Sequence, residues 1–326
     1  MARIIAGLGS SHASTFLDPN EWETFRARVR TSYQNRYNDQ PPEQKGVQSE
    51  TLDGNLARYT RISTELDELK TQFDSLNPDL LIVIGDDQNE NYTDANLPQF
   101  CVYTGQDFIC RDRQSGTEAR HQGNAKLARW ILERGVEADF DIAYSASFPN
   151  DALMSHAHTQ VIARLDPEGR VPVNPLFVNA IHVPAPSPRR CYAFGQMLGR
   201  VLDSYPEDLR VVLYASGGWS HFTAGFPWRF YQGKHTIGAI DQEFDESLLE
   251  LLTSGRASDV TKLTSDDLTN AGDVEFRSWI VMLGAIGDRK PEHAVYEPFY
   301  RAIMGMAAAH WDLRPADERV AAGARG

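Results

Sequence analysis

The sequence predicts an α/β fold: a single large layered domain with a mostly parallel central sheet and inserted loops. Three observations carry this expectation. Short aliphatic runs recur at Arg3–Leu8, Leu80–Ile84, Val171–Val178 and Val211–Tyr214, each brief enough to be a buried strand. Segments with apolar residues three and four apart fall between them, so strands and helices alternate as they do around parallel sheets. Several of the runs end in loops bearing histidine or carboxylate, and open α/β sheets bind ligands beyond the carboxyl ends of their strands.

Arg3–Leu8 stops at Gly9-Ser10-Ser11-His12, which displays an imidazole just past a strand. Asp18-Pro19 reads as a helix start, Asp as N-cap and Pro in the first turn. Arg30–Gln48 is polar and holds Pro41-Pro42, which reads as an exposed loop and a candidate lid. From Leu56, the spacing of Tyr59, Ile62, Leu66, Leu69, Phe73 and Leu76 predicts a long amphipathic helix ended by Asn77-Pro78. Leu80–Ile84 is the clearest buried strand, and the cluster Asp86–Glu90 follows it. A short strand is expected over Gln99–Tyr103, a helix over Asn124–Arg134 with Gly135 past its end, and a further strand from Asp141 to Ser145.

Phe148–His158 reads as a loop with His156 and His158. The strand Val171–Val178 exits through Asn179 to His182, and Ser187-Pro188 caps a helix reaching about Leu202. Arg189 and Arg190 in its first turn oppose the helix dipole, which suggests that they face something anionic. Val211–Tyr214 then breaks into Ser216-Gly217-Gly218, where glycines let the backbone turn and approach a ligand closely, and His221 follows. Helices are expected over Ile240–Leu252 and Val274–Gly284. The folded body is placed at residues 1–312 and a flexible tail at 313–326, whose ADERVAAGARG reads as a frayed end.

Composition narrows the function classes. Among 326 residues, 41% are hydrophobic and 24% charged, an ordinary globular balance. A formal charge of −13 argues against general nucleic-acid binding, which wants a basic face. An anionic ligand would need a local cationic pocket. Three scattered cysteines make neither a disulfide framework nor a zinc ribbon. No run approaches membrane-spanning length, so a cytoplasmic protein is expected. Homodimers are the default for soluble oligomers.

His12, the Asp86–Glu90 cluster, His182 and His221 all sit at strand ends, with the His156/His158 loop and Glu275 at a helix start. Imidazole with carboxylate suits a divalent first-row metal engaged in oxygen chemistry.

Five segments in order carry a family resemblance: Gly9–His12 (GSSH), Ile84–Gln88 (IGDDQ), Pro184–Gly195 (PAPSPRRCYAFG), Ser216–His221 (SGGWSH) and Val274–Ala285 (VEFRSWIVMLGA). Together they resemble the class III extradiol ring-cleavage dioxygenases of the protocatechuate 4,5-dioxygenase β-subunit type, from the first strand to about Trp311. The resemblance implies a non-haem Fe(II) centre, with Mn(II) as an alternative, that cleaves a catechol-like or dihydroxypyridine ring with O₂. It implies His12 and Glu275 as metal ligands, and His221 as the acid–base residue. His156 falls where the family has a substrate-contacting loop histidine, with His158 close enough to leave that choice open. His182 is a further candidate for a substrate contact. The family's second metal histidine falls on Gln88, a harder and weaker donor, and Asp87 or Glu90 could replace it. The partners implied are a small aromatic diol and O₂, and an accessory subunit is an open question. Two competing readings are a metal-poor binding or scaffold protein on this fold and a metal-assisted hydrolase. His121, His235, His293 and His310 are given no role.

Overall fold

A computed structural model describes residues 1–12, 18–40, 43–113, 115–148, 153–221 and 239–323. Pro41-Pro42 and His235 lie outside the described residues.

The centre is an eight-stranded sheet in the order β6-β3-β7-β2-β8-β1-β10-β9. Its middle is parallel: β7 (Val173–Val178), β2 (Leu80–Gly85), β8 (Arg210–Ser216) and β1 (Arg3–Ser10) point the same way. β3 (Phe100–Tyr103) joins β7 antiparallel, and β6 (Ala143–Ser145) joins β3 parallel at that edge. On the other side β10 (Met304–Asp312) runs antiparallel to β1, and β9 (His293–Phe299) antiparallel to β10. The four carboxyl ends in the middle therefore open on one edge, where the sequence places its histidines and carboxylates.

Alternation along β2 builds two cores. Leu80, Ile82 and Ile84 face a layer formed by α4 (Ala125–Glu137), α6 (Pro188–Asp203) and α9 (Phe276–Ile286). Leu81 and Val83 face α3 (Leu52–Leu76) and α5 (His156–Leu165), as the period-two direction of strand side chains requires. The predicted α3 stripe is buried at Ile62, Leu66, Leu69, Phe73 and Leu76, and Asn77 closes the helix in a left-handed conformation. Ser187 caps α6 as expected, accepting from Arg190 N.

Several expectations need correction. Arg30–Gln48 is not a loop throughout. α1 (Trp22–Tyr37) continues to Tyr37 and α2 covers Lys45–Ser49. Trp22, Val29 and Tyr33 are buried, but the apolar stripe is too thin to show among so many charges. His156 and His158 sit in the first turns of α5 rather than in a loop. Gly135 lies inside α4, not past its end, because a side chain there would run into Ile142. The hairpin β4 (Asp107–Arg111) and β5 (Glu118–Gln122), the helix α8 (Ser265–Ala271), and strands β9 and β10 had no counterpart among the expected elements. α7 (Gln242–Ser254) matches the helix expected near Ile240, and residues of the expected tail form α10 (Ala316–Gly323), where Glu318 reaches Arg3 at 2.5 Å. Among the described residues no helix is long and apolar enough to cross a membrane.

Candidate active site

Three strand ends and one helix start build the site. β1 delivers His12, β2 delivers Asp86 to Gln88, β8 delivers the Gly217-to-His221 turn, and α9 begins just after Glu275. Glu275 is the hub, and it is buried. Its Oε2 accepts from Gly218 N at 2.6 Å and lies 3.6 Å from His12 Nε2. Its Oε1 accepts from Gln88 Nε2 at 2.5 Å and lies 3.2 Å from His221 Nε2.

The close approach depends on the paired glycines. A β-carbon on Gly217 would lie 2.5 Å from the Glu275 carbonyl oxygen, and one on Gly218 would lie 2.6 Å from the His221 ring. Only residues without a side chain let the β8 turn sit against the start of α9.

The hydrogen bonds fix the two imidazoles differently. The Ser216 hydroxyl donates to Ala157 O, so it can only accept from His12 Nδ1, 3.3 Å away. His12 therefore carries its proton on Nδ1, which leaves Nε2 as the donor nitrogen on the Glu275 side. Burial, with His156 and His221 nearby, pushes its pKa down to about 3 despite the attraction of Glu275, so the ring is neutral, as a metal ligand must be. His221 donates from Nδ1 to Trp219 O at 2.7 Å. Burial works against its charged form, but the charge and hydrogen bond of Glu275 outweigh that and raise it to about 9. Burial likewise opposes ionisation of Glu275, yet His221 and His12 hold its carboxyl well below the usual range.

Asp86 completes the constellation. His12, Asp86 and Glu275 each offer one ligand atom, and these atoms lie within 4.8 Å of one another. Asp86 is fully buried, and neither of its oxygens makes a well-formed hydrogen bond among the described residues, although the Gln88 side chain lies close enough to favour the charged form slightly. Burial first, then the charges of Glu275, Asp87 and Glu90, push its carboxyl well above the ordinary range. Two carboxylates this close repel by about 3–4 kcal/mol at an effective dielectric of ~20. A neutral imidazole beside two crowded carboxylates is a donor set that suits a hard divalent cation.

The other candidates are placed around this centre. His156 donates its backbone N–H to Glu90 Oε2 at 3.0 Å and sets Nδ1 2.9 Å from the same oxygen, and its ring stands edge-on to His12 with centroids 5.0 Å apart. His158 is fully buried, with Nε2 donating to Leu176 O at 3.0 Å and Nδ1 2.8 Å from Ser155 Oγ. Both its nitrogens serve the fold, so His156 is the member of the pair beside the centre. His182 donates its backbone N–H to Asn179 Oδ1, its Nδ1 lies 4.0 Å from Asp94, and its buried Nε2 meets no partner among the described residues. Arg190 does not face an anionic site. It stacks on Phe140 at 4.0 Å and reaches Asp139 O.

Two supporting residues were not singled out from the sequence. Buried Arg277 donates to Pro186 O at 2.8 Å and Val274 O at 3.0 Å, which stitches the loop before α6 to the start of α9. Asp245, buried on α7, accepts from Ser220 N at 3.0 Å and Ser220 Oγ at 2.6 Å and so braces the residue before His221. The Arg in VEFRSW was visible as a charge in an apolar helix, a hint that it finds partners.

A family model described as the catalytic LigB subunit of aromatic ring-opening dioxygenase matches residues 35–309. The chain belongs to that family. Gallate dioxygenase of Pseudomonas putida is 31% identical over 169 residues, which cover 50% of this chain and 46% of that protein. This chain thus spans about half the length of that relative. The 2,3-dihydroxyphenylpropionate/2,3-dihydroxicinnamic acid 1,2-dioxygenase of Burkholderia vietnamiensis is 25% identical over 282 residues, covering 74% of this chain and 86% of that protein. Its Cupriavidus necator counterpart is 26% identical, covering 72% and 86%. An uncharacterised Escherichia coli K12 protein of known structure overlaps at a TM-score of 0.47 and 12% identity, covering 94% and 99%, too loose to bear on function.

Proposed function

We propose that this LigB-family chain opens the ring of a small aromatic diol by extradiol insertion of both atoms of O₂, with divalent iron as its metal. The observation that carries the reading is the meeting at one sheet edge of His12, Glu275 and His221, the three residues to which the family resemblance gives these roles. His12 and Glu275 would hold the metal, with the β2 end completing the set. When bound, the metal supplies the redox coupling between an aromatic diol and dioxygen.

The chain's own residues supply the rest. His221 has Nδ1–H committed to Trp219 O, so Nε2 is the atom that exchanges a proton with a ring hydroxyl and later returns it. His156, fixed through Nδ1 by Glu90, turns its other nitrogen toward substrate oxygen beside His12. A cavity of about 290 Å³ adjoins His156 and is lined by Asn89, Glu90, Arg111, Arg113 and Met154 among others. Arg113, 2.6 Å from Glu90, makes this the local cationic pocket that an acidic chain needs for an anionic substituent. The named relatives act on gallate and dihydroxyphenylpropionate, both carboxylates, which supports a carboxylated diol as the substrate class. A homodimer in the cytoplasm is the working assumption for the assembly and its location.

The test is O₂ consumption by Fe(II)-loaded protein on a panel of diols, with ¹⁸O₂ to trace both atoms into the ring-opened product. His221→Ala should keep its metal while turnover falls by about 10²–10⁴-fold, the usual worth of a positioned proton-transfer group. Loss of the metal in that variant, or wild-type turnover, would overturn the role given to His221.

A further inference from the structure

We propose that the third metal-ligating side chain is the carboxylate of Asp86, giving a one-imidazole, two-carboxylate site in place of the second histidine that the family resemblance aligns with Gln88. This rests on the reading above that the site takes a divalent metal, and it specifies the ligand set.

The strand pleat decides which residue of the Asp86–Glu90 cluster faces the centre. Ile82 and Ile84 point into the layer that holds α9, so Asp86, two residues on, points the same way, toward Glu275 at the start of α9. Asp87 falls on the opposite face. There it accepts from Glu90 N at 2.9 Å, Asn91 N at 3.0 Å and Tyr92 N at 3.0 Å and shapes the turn after β2. Glu90 is committed to His156 and, at 2.6 Å, to Arg113. Gln88 turns its amide nitrogen, not its carbonyl oxygen, toward Glu275. Asp86 is the member whose two oxygens make no well-formed hydrogen bond among the described residues, with only the Gln88 side chain near enough to favour its charged form, in a residue with no exposed surface.

A buried carboxylate placed against a second one is unfavourable without a cation, and a hydrogen-bonding role would have supplied it with donors. A ligand role accounts for both features. Gln88 then acts on Glu275, orienting its carboxylate by the 2.5 Å bond to Oε1, as partners behind a metal ligand do. The charge balance differs as well. Two carboxylates and a neutral imidazole cancel a dication, whereas two imidazoles and one carboxylate leave a net positive centre. Oxygen-rich donors favour hard ions, so this set should bind Mn(II) well relative to nitrogen-preferring Co(II) and Zn(II).

The experiment is equilibrium binding of Mn(II), and of Fe(II) under anaerobic conditions, to the full chain without substrate or O₂. The wild type is compared with Asp86→Asn, Gln88→Ala and Glu90→Gln. Asp86→Asn should abolish measurable Mn(II) binding, while Gln88→Ala weakens it by about 10–100-fold and Glu90→Gln stays within a few-fold of the wild type. In the metal-free state, Asp86→Asn should melt at or above the wild-type temperature, since it removes a buried carboxylate that makes no well-formed hydrogen bond; a structural role would lower it. If Asp86→Asn folds poorly, Gln88→Ala still decides: Mn(II) binding weakened by no more than about 10–100-fold supports Asp86, and complete loss overturns it. Unchanged Mn(II) affinity in Asp86→Asn, or a wild type that binds neither ion, also overturns the proposal. A chain that binds Mn(II) through Asp86 yet consumes no O₂ on any diol leaves the ligand assignment standing and removes the dioxygenase reading alone.

Discussion

A methyl group at position 218 would lie 2.6 Å from His221 Cε1 and 2.7 Å from its Nδ1, so Gly218→Ala must push the imidazole away from Glu275. Displacement of a reacting group by about an ångström costs on the order of 10²-fold in rate. Gly218→Ala should therefore lose turnover on that scale while retaining its metal, measured as kcat beside metal content. The histidine loop was legible because two glycines before an imidazole at a strand end have few other uses. Gln88 was legible as a departure from the family pattern, and its amide does meet the site. Asp86 was harder to single out. In a run of Asp-Asp-Gln-Asn-Glu, composition alone does not say which side chain turns inward; the alternation of Leu81, Ile82, Val83 and Ile84 does, once it is known which face of β2 meets α9.

At the scale of elements, the position of Glu275 depends on how closely α9 lies on α6. A β-carbon on Gly195 of α6 would collide with the Val281 carbonyl and stand 2.9 Å from Gly284 Cα, while one on Gly284 would collide with the Tyr192 carbonyl. The obstacles are backbone atoms and cannot rotate aside. Gly195→Ala should cost about 1–3 kcal/mol, the usual range for overpacking, read from chemical denaturation. Because α9 carries Glu275 at its start, metal affinity should weaken along with stability. Which elements the sequence disclosed follows from how each one is stabilised. α3 shows a wide apolar stripe and was read to its last residue, though it starts at Leu52, four residues before the expected Leu56. α1 rests on Trp22, Val29 and Tyr33, too few to outweigh its charges. β10 has the sequence MGMAAAHWD, and its alanines favour helix by local preference. It becomes a strand because it is sandwiched between β1 and β9, and small side chains fit where sheet and helices crowd together. Partners supplied from elsewhere in the chain override the local preference.

For the molecule as a whole, the sheet order carries a consequence about time. β1, which brings His12, pairs on one side with Arg210–Ser216 and on the other with Ala308–Asp312. Nothing near it in the chain can satisfy its backbone. During synthesis at ~5–20 residues per second, β1 waits roughly 10–40 s for β8 and longer for β10. Closing loops of that length is entropically slow, so such pairings come late in folding. Pulse-labelled hydrogen exchange during refolding should find α3 amides protected early and β1 amides among the last, with Mn(II) binding regained only at that final step. Early protection of β1 would contradict this order. The strand that supplies the metal histidine is thus translated first and paired last, and for the interval between it is an apolar ribbon with two open edges, the part of the nascent chain most in need of shelter from its neighbours.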